Sequence, residues 1–274
     1  MAIKFAGATA IVTGAGRGLG QQLSAQLAAH RANVIAADIS DEGIAETLGL
    51  VESQGNTAVG MKTDVAKEAD FEHLRDIALE RFGKVDLIIN NAAVLVNGLP
   101  TEVPIEEWER VLSINLLAAV RSVRVFAPTL IAQGSGHFVN IASTAGLWPY
   151  SFDRLPYCSS KAAVIMMSEG LGLWLRPLGV GVTCFAPGGI AGGLLKNSLR
   201  YYGERQPVHG AGFVADKVED VARMVLDAVT RDAVLALPSE ELHQTVVEHH
   251  QDPDVFTAMQ LKRIARGDHI IAAS

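Results

Sequence analysis

The sequence has few cysteines, no excess of positive charge and no long apolar run. Its two cysteines, Cys158 and Cys184, exclude a disulfide-stabilised scaffold and favour a reducing compartment, so we expect a cytoplasmic protein. A formal net charge of -7 without a Lys/Arg cluster excludes the basic surface that nucleic acids require. The apolar run "AAVIMM" ends at Ser168 and Glu169, far short of the roughly 18 residues that span a bilayer, so we expect no membrane association.

What the chain does contain is an alternation of strand-like and helix-like segments. Short apolar runs such as "ATAIVT", "ANVIAAD" and "KVDLIIN" alternate with longer helical patterns. Strands that are apolar throughout are buried on both faces, and strands separated by helices run parallel. The pattern predicts an α/β fold with a doubly wound parallel sheet of about seven strands. We expect one domain over 1–238 with a lid at about 190–215, and a helical C-terminal extension over 239–274 in which Ser239 and Asp252 cap the helices.

A glycine-rich turn follows the first predicted strand. The segment "TGAGRGLG" opens a helix, and in this strand–turn–helix arrangement the backbone N–H groups at the helix N-terminus can hold a pyrophosphate. Gly14, Gly18 and Gly20 are the glycines that matter, with Arg17 and Leu19 between them. Taken alone, the spacing also fits a tight turn without a ligand.

Polar residues follow the next three strands, where an adenosine would bind. Asp38 ends the second strand, and a carboxylate there accepts hydrogen bonds from a ribose and repels a 2′-phosphate, which favours NAD over NADP. An aspartate at a strand end is also a common turn or cap residue, Ser40 can cap the next helix equally well, and Arg17 weakly favours a phosphate. Asp64 is a candidate for the adenine edge, and "NNAA" follows the fourth strand at the carboxyl edge of the sheet.

Together with motifs further along the chain, these features resemble the short-chain dehydrogenase/reductase family over about residues 5–190. The resemblance rests on TGxxxGxG at 13–20, Asp38, Asp64-Val65, Asn90-Asn91-Ala92, Asn115, Ser143, Tyr157-x-x-x-Lys161 and Pro187-Gly188. It implies a Rossmann-type fold and an oxidoreductase that moves a hydride between NAD(H) and a secondary alcohol or ketone. Beyond the glycine turn and the two aspartates, it assigns to the cofactor Val65, Asn91, Ala92, Tyr157, Lys161, Pro187, Gly188 and Ile190.

The segment "YCSSK" carries the predicted chemistry. Tyr157 and Lys161 are four residues apart, which places both side chains on one helical face. A phenol ionises near pH ~10, and a nearby ammonium lowers that pKa towards the range in which a tyrosine can exchange a proton with an alcohol or ketone. The resemblance implies the same general acid/base role for Tyr157, with Lys161 tuning it and holding the nicotinamide ribose.

Two further residues take catalytic roles from the resemblance. Ser143 is implied to hold the substrate oxygen, and Asn115 to position a water that links Lys161 to solvent. From the sequence alone, Ser143 is more typical of a turn or cap after a strand, and Asn115 also fits a helix-interior residue satisfied by neighbouring backbone.

The sequence departs from the family pattern at three points. Ala93 replaces the glycine that usually ends NNAG, and the spacing from Ser143 to Tyr157 is 14 residues, one more than the family's usual spacing. Gly192 stands where family members often have a threonine that binds the nicotinamide amide. Gly192 has no side chain to anchor the amide, although backbone groups could substitute.

Two segments with large apolar side chains are predicted to line the substrate pocket. One is "LWPYSFDRLP", with Trp148, Tyr150 and Phe152, and the other is the lid, with Leu194. Such a pocket favours a hydrophobic or aromatic secondary alcohol or ketone as the small-molecule substrate. The alternative is that several of these side chains only pack the lid.

Two other functions stay open from the sequence. An NADPH-dependent carbonyl reductase needs the same motifs but is disfavoured by Asp38. A non-catalytic NAD(H)-binding sensor needs the fold and the glycine turn, but it does not need Asn115, Ser143, Tyr157 and Lys161 together.

Two helices of the predicted fold bear on how the protein assembles. The helices that carry Asn115 and Tyr157 are apolar on more than one face, which predicts a subunit interface, and the resemblance implies a homodimer or homotetramer.

His243, His249 and His250 match no common zinc spacing and lie in a polar helical pattern, so no metal site is predicted.

Overall fold

A seven-stranded parallel sheet lies at the centre of the fold. The computed structural model describes residues 3–191, 194, 198–201 and 215–266. In spatial order the strands are β3 (Ala58–Lys62), β2 (Asn33–Asp38), β1 (Thr9–Thr13), β4 (Leu87–Asn90), β6 (Gly136–Ile141), β7 (Val180–Phe185) and β9 (Leu235–Ala236). Each neighbouring pair is parallel. The predicted doubly wound sheet is confirmed, and the strand order reverses between β1 and β4, where open α/β sheets bind ligands.

Helices cover both faces of this sheet. One layer consists of α1 (Gly18–Ala29), α2 (Asp41–Ser53) and α7 (Val218–Thr230), and the other consists of α3 (Glu68–Phe82), α5 (Ala118–Gln133) and α6 (Leu155–Leu175). Successive strand residues face opposite layers, so Val12 packs with the first layer and Ile11 with the second. Because both faces are covered, the strands are apolar throughout.

The long helical stretch before β6 is interrupted. It consists of α4 (Ile105–Leu112), a π-helical turn (Ser113–Leu117) and α5. Over Ile105–Gln133 it is long and apolar enough to span a bilayer by length and composition alone, and half of its most apolar window is buried in the fold. Phe126 and Leu130 of this stretch are fully buried in the core beneath the sheet.

A second sheet pairs β5 (Val96–Gly98) with β8 (Leu199–Tyr201) in parallel. It was not predicted, because three-residue strands leave no periodicity to recognise. The pairing ties part of the predicted lid to the loop after β4. Gly192, also within the predicted lid, lies outside the described residues.

The C-terminal extension forms α8 (Glu240–Gln251) and α9 (Pro253–Arg266). The side chains of Ser239 and Asp252 accept hydrogen bonds from backbone N–H groups in the first turns of these helices, as predicted. Leu242 and Phe256 are buried in a hydrophobic cluster with the loop that joins β6 to α6. The extension therefore supports that loop from behind.

Candidate active site

A cleft of about 850 Å³ opens at the carboxyl ends of the strands. Its walls come from the glycine turn, the ends of β2, β3, β4 and β6, the start of α6 and the segment after β7. The predicted site residues that line it are Gly14, Arg17, Gly18, Leu19, Asp38, Asp64, Val65, Asn91, Ala92, Ser143, Tyr150, Tyr157, Lys161, Pro187, Gly188, Ile190 and Leu194. Gly20, Asn115 and Trp148 lie behind this wall.

The glycine turn requires glycine for two different reasons. Gly14 and Gly18 have φ values of +64° and +54°, in the left-handed region that other residues rarely adopt. At Gly14 a side chain would also meet Ala92, since a Cβ would lie 2.8 Å from the Ala92 Cα. Gly20 has no contact with the cleft, and a Cβ there would overlap the carbonyl oxygen of Gly14. Gly20 therefore lets α1 pack closely against the turn, while the turn itself leaves room for a pyrophosphate at the helix N-terminus.

The Asp38 carboxylate is fixed at the end of β2. Its Oδ2 accepts a hydrogen bond from the Gly16 N–H at 2.8 Å, and its Oδ1 accepts one from the Ser40 N–H at 2.9 Å. Ser40, and not Asp38, caps α2, because the Ser40 hydroxyl accepts from the Gly43 N–H at 3.1 Å. The carboxylate is thus held beside the glycine turn in the wall of the cleft.

Asn91 connects the end of β4 to the glycine turn. Its side-chain amide donates to the carbonyl oxygens of Thr13 and Gly14, at 2.9 and 3.1 Å. Its backbone N–H donates to the Thr13 hydroxyl at 3.1 Å. These bonds fix the end of β4 relative to the glycine turn, so Asn91 shapes the cleft through contacts within the protein.

Ser143, Tyr157 and Lys161 meet in the same cleft. Ser143 follows β6, and its hydroxyl lies near the Tyr157 phenol in the first turn of α6, close enough to favour the phenolate. The Lys161 ammonium donates to the Ile141 carbonyl oxygen at 2.7 Å and lies 5.7 Å from the centroid of the Tyr157 ring. The structure therefore brings the predicted phenol, hydroxyl and ammonium together.

The protonation of this group differs from the expectation for Tyr157. Burial raises the pKa of Tyr157 to about 12, and the nearby Ser143 hydroxyl, which favours the phenolate, opposes this only in part. Burial lowers the pKa of Lys161 to about 8. The expected lowering of the Tyr157 pKa is not found, because desolvation dominates for the phenol and the ammonium contacts a carbonyl oxygen instead. At neutral pH the Tyr157 phenol is therefore protonated and Lys161 is mostly charged.

Asn115 lies in the π-helical turn, behind the cleft wall. Its Oδ1 accepts from the Val94 N–H at 2.8 Å, and its Nδ2 donates to the Val94 carbonyl oxygen at 3.0 Å and to the Ser160 hydroxyl at 3.1 Å. Ser160 in turn donates to the Tyr157 carbonyl oxygen at 2.7 Å. Asn115 therefore links the loop after β4 to the helix of Tyr157, which is the arrangement of a positioning residue.

The predicted substrate residues divide into two groups. Tyr150 and Leu194 line the cleft, whereas Trp148 is buried against Leu242 and Phe256 of the C-terminal extension. Trp148 therefore does not line the cleft as predicted, because it packs on the apolar surface that the extension supplies. Phe152 is 38% exposed and lies outside the lining.

Arg154 is a charged residue of the cleft that was not predicted from the sequence. Arg154 lines the cleft next to Tyr150 and Tyr157. The available signal was the pair "DR" inside the otherwise apolar segment "LWPYSFDRLP", since two charges in a buried loop need a specific reason.

Among the described residues, no group of three His, Cys, Asp or Glu side chains could hold a metal ion. The His249 ring contacts the rings of His250 and Phe256, with centroids 5.0 and 5.1 Å apart. Its position is explained by packing within the C-terminal extension.

Comparison with known proteins identifies the family. The sequence model of short chain dehydrogenases matches residues 8–201. The chain belongs to the short-chain dehydrogenase/reductase family. It is 34% identical over 185 residues to ketoacyl reductase HetN of Nostoc sp., a match that covers 68% of this chain and 64% of HetN, slightly less than two thirds of that relative.

Solved structures of family members share the fold over most of the chain. A short-chain dehydrogenase/reductase from Burkholderia phymatum in complex with NAD superposes with a TM-score of 0.82 at 29% identity, covering 92% of this chain and 96% of that one. A metagenomic short-chain oxidoreductase in complex with NADP has a TM-score of 0.71 at 26% identity, covering 86% and 100%. The chain is therefore an oxidoreductase of a family whose members bind nicotinamide cofactors of both kinds.

Proposed function

We propose that this short-chain dehydrogenase/reductase transfers a hydride between NAD(H) and a secondary alcohol or ketone, with Tyr157 as the general acid/base. The observation that carries the proposal is that Ser143, Tyr157 and Lys161 line the same cleft as the glycine turn. One cleft thus combines a dinucleotide site with a proton-exchanging group, as hydride chemistry on alcohols requires.

NAD is the proposed cofactor, and when bound it supplies the hydride acceptor or donor. Gly14, Gly18 and the start of α1 fit its pyrophosphate, and Asp38 fits the adenosine ribose. A 2′-phosphate would meet the fixed Asp38 carboxylate as a like charge. Arg17 in the same wall attracts a phosphate, which makes an NADPH-dependent carbonyl reductase the alternative.

Three side chains act on the substrate oxygen and its proton in this proposal. Tyr157 takes the proton of an alcohol or returns one to a ketone. Ser143, which lines the cleft beside the phenol, holds the same substrate oxygen. Lys161 provides positive charge beside the phenol and holds the nicotinamide ribose, while Asn115 acts through Ser160 to position the helix.

The pH dependence should differ between the two directions. Alcohol oxidation needs the Tyr157 phenolate, and with a pKa of about 12 that form becomes more abundant as pH rises. We therefore expect kcat/KM for oxidation to rise from about pH 6 to about pH 10, less steeply once Lys161 loses its proton above about 8. Ketone reduction, which needs the protonated phenol, should stay level. Initial rates in both directions test this, and an oxidation profile that is flat over the range would contradict it.

We further propose a homo-oligomer with α6 at the interface. Met166, Leu173 and Trp174 are 70%, 84% and 51% exposed on α6, and such a patch is typical of a surface that another chain covers. We expect sedimentation of the protein as a dimer or tetramer, and partial dissociation of Leu173→Glu. The control is Leu261→Glu, at a position 62% exposed on α9. A wild-type monomer at micromolar concentration would contradict the proposal.

A non-catalytic NAD(H)-binding sensor is the competing function from another class. It would use the glycine turn and Asp38 but would have no need for Ser143, Tyr157 and Lys161 in the same cleft. A panel of secondary alcohols and ketones with NAD and NADP, followed by nicotinamide absorbance, separates the two. Binding of NAD without turnover of any compound would favour the sensor.

A further inference from the structure

Arg121 joins two walls of the cleft from behind. It lies near the start of α5 and outside the cleft lining. Its Nη1 donates to the Val65 carbonyl oxygen at 3.3 Å and to the Ser113 carbonyl oxygen at 2.9 Å, and its Nη2 donates to the Ser113 hydroxyl at 3.3 Å. Val65 lines the cleft, and so does Ile114, the neighbour of Ser113. One guanidinium therefore holds the segment after β3 and the π-helical turn together.

The partners of Arg121 are those of a connector between segments. In the part of the chain that the structure describes, Arg121 forms no ion pair, whereas Arg124 on the same helix pairs with Glu68 at 3.0 Å. A planar guanidinium can reach acceptors on two segments at once. Side chains on a helix lean towards its N-terminus, which brings Arg121 back over the turns that separate it from Ser113. The geometry thus explains why an arginine stands here.

The π-helical turn is the element that Arg121 supports. Such turns are rare and occur frequently at functional sites. Arg121 holds the backbone of Ser113, the first residue of the turn. Asn115, in the middle of the turn, donates to the Ser160 hydroxyl, which in turn donates to the Tyr157 carbonyl oxygen. The turn is therefore fixed to the cofactor wall on one side and to the catalytic helix on the other.

These contacts form a continuous connection between the two ends of the cleft. Val65 belongs to the end where the adenine is expected, and Tyr157 to the end where the substrate reacts. The connection passes from Val65 through Arg121 to the turn, and from Asn115 through Ser160 to Tyr157. Its hydrogen bonds are between 2.7 and 3.3 Å long. A contiguous network of this kind transmits coupling when both ends act on one shared element, and the π-helical turn is that element here.

We propose that Arg121 is a positioning residue that couples the adenine end of the cofactor site to Tyr157 through the π-helical turn. The inference rests on the proposed nicotinamide cofactor and adds a route by which its adenine half affects catalysis. An adenosine bound at Val65 orders the segment after β3, and Arg121 passes this order to the turn that carries Asn115. The ligand class that triggers the coupling is an adenine nucleotide, with or without a nicotinamide.

Adenosine monophosphate provides the test, because it lacks the nicotinamide half of the cofactor. Backbone hydrogen exchange is followed by mass spectrometry, with AMP at a concentration that calorimetry shows to be saturating. In the wild type we expect peptides that cover the π-helical turn to exchange at least ~5-fold more slowly with AMP, the lower end of typical coupling between sites. In Arg121→Met this protection of the turn should be lost, while AMP still protects the segment after β3.

Turnover gives a second readout. With NAD and substrate both saturating, Arg121→Met should lower kcat about 10-fold, because the position of Tyr157 changes and not only the affinity for the cofactor. Arg121→Lys keeps the charge but cannot span both carbonyl oxygens, so it should give an intermediate kcat. The matched control is Arg124→Met, which removes only the exposed pair with Glu68 and should keep the wild-type kcat and the AMP-induced protection.

The outcomes separate this inference from the proposed function. Protection of the turn that is absent in the AMP-bound wild type, or that persists in Arg121→Met, would overturn the inference and leave hydride transfer intact. Equal losses of kcat in Arg121→Met and Arg124→Met would do the same. Arg121-dependent protection without turnover of any alcohol or ketone would support the coupling and count against hydride transfer. Should circular dichroism show Arg121→Met to be unfolded, Arg121→Lys replaces it, and full protection in that variant would contradict the inference.

Discussion

Replacement of Tyr157 by phenylalanine is expected to lower kcat/KM for alcohol oxidation about 1,000-fold, within the range that general acid/base catalysis contributes. The substitution removes only the phenolic oxygen, which is the group proposed to exchange the proton. The ring remains, so the packing of the cleft wall is retained. Affinity for NADH, measured by calorimetry, should change less than about threefold.

A matched tyrosine serves as the control for this experiment. Tyr201 lies in β8, packs with Val96 and Val103, and lies outside the cleft lining. Tyr201→Phe should retain activity within about threefold. Undiminished turnover by Tyr157→Phe would contradict the proposed mechanism. Equal losses of activity in the two variants would indicate a general effect on the fold.

Replacement of Asp38 by asparagine is expected to reduce the preference for NAD over NADP about 100-fold. The side chain keeps its shape, but the charge that repels a 2′-phosphate is lost, and two unit charges a few ångströms apart near a protein surface interact by several kcal/mol before screening. The lost repulsion improves the use of NADP, and Arg17, which is unchanged in the variant, still attracts the 2′-phosphate. Values of kcat/KM with the two cofactors and one alcohol give the ratio.

The control for Asp38 is a neighbouring aspartate outside the cleft. Asp41 forms an exposed ion pair with Lys62, so Asp41→Asn should leave the cofactor ratio unchanged. A wild-type preference for NADP, or an unchanged ratio in Asp38→Asn, would show that the carboxylate does not select the cofactor.

The elements of the fold could be predicted because local sequence determines them. The apolar strands, the glycine turn and the caps at Ser40, Ser239 and Asp252 depend on residues close together in the chain, and the structure confirms each. The position of Ser143, Tyr157 and Lys161 in one cleft could also be predicted, because the carboxyl ends of parallel strands meet at one edge of the sheet.

The features that could not be predicted depend on contacts between distant segments. Asn115 bonds to Val94, 21 residues away, and no local periodicity indicates the π-helical turn that carries it. Trp148 is covered by Phe256, which lies 108 positions later in the chain. The pKa of Tyr157 followed burial, which is a property of the assembled cleft and not of the Tyr–Lys spacing.

Direct transfer of hydride between a secondary alcohol and NAD in this cleft can be followed with an isotope. The experiment uses an alcohol carrying deuterium on the carbinol carbon, with the reduced cofactor analysed by mass spectrometry. We expect one deuterium in each molecule of NADH formed. Reduced cofactor without deuterium would contradict it.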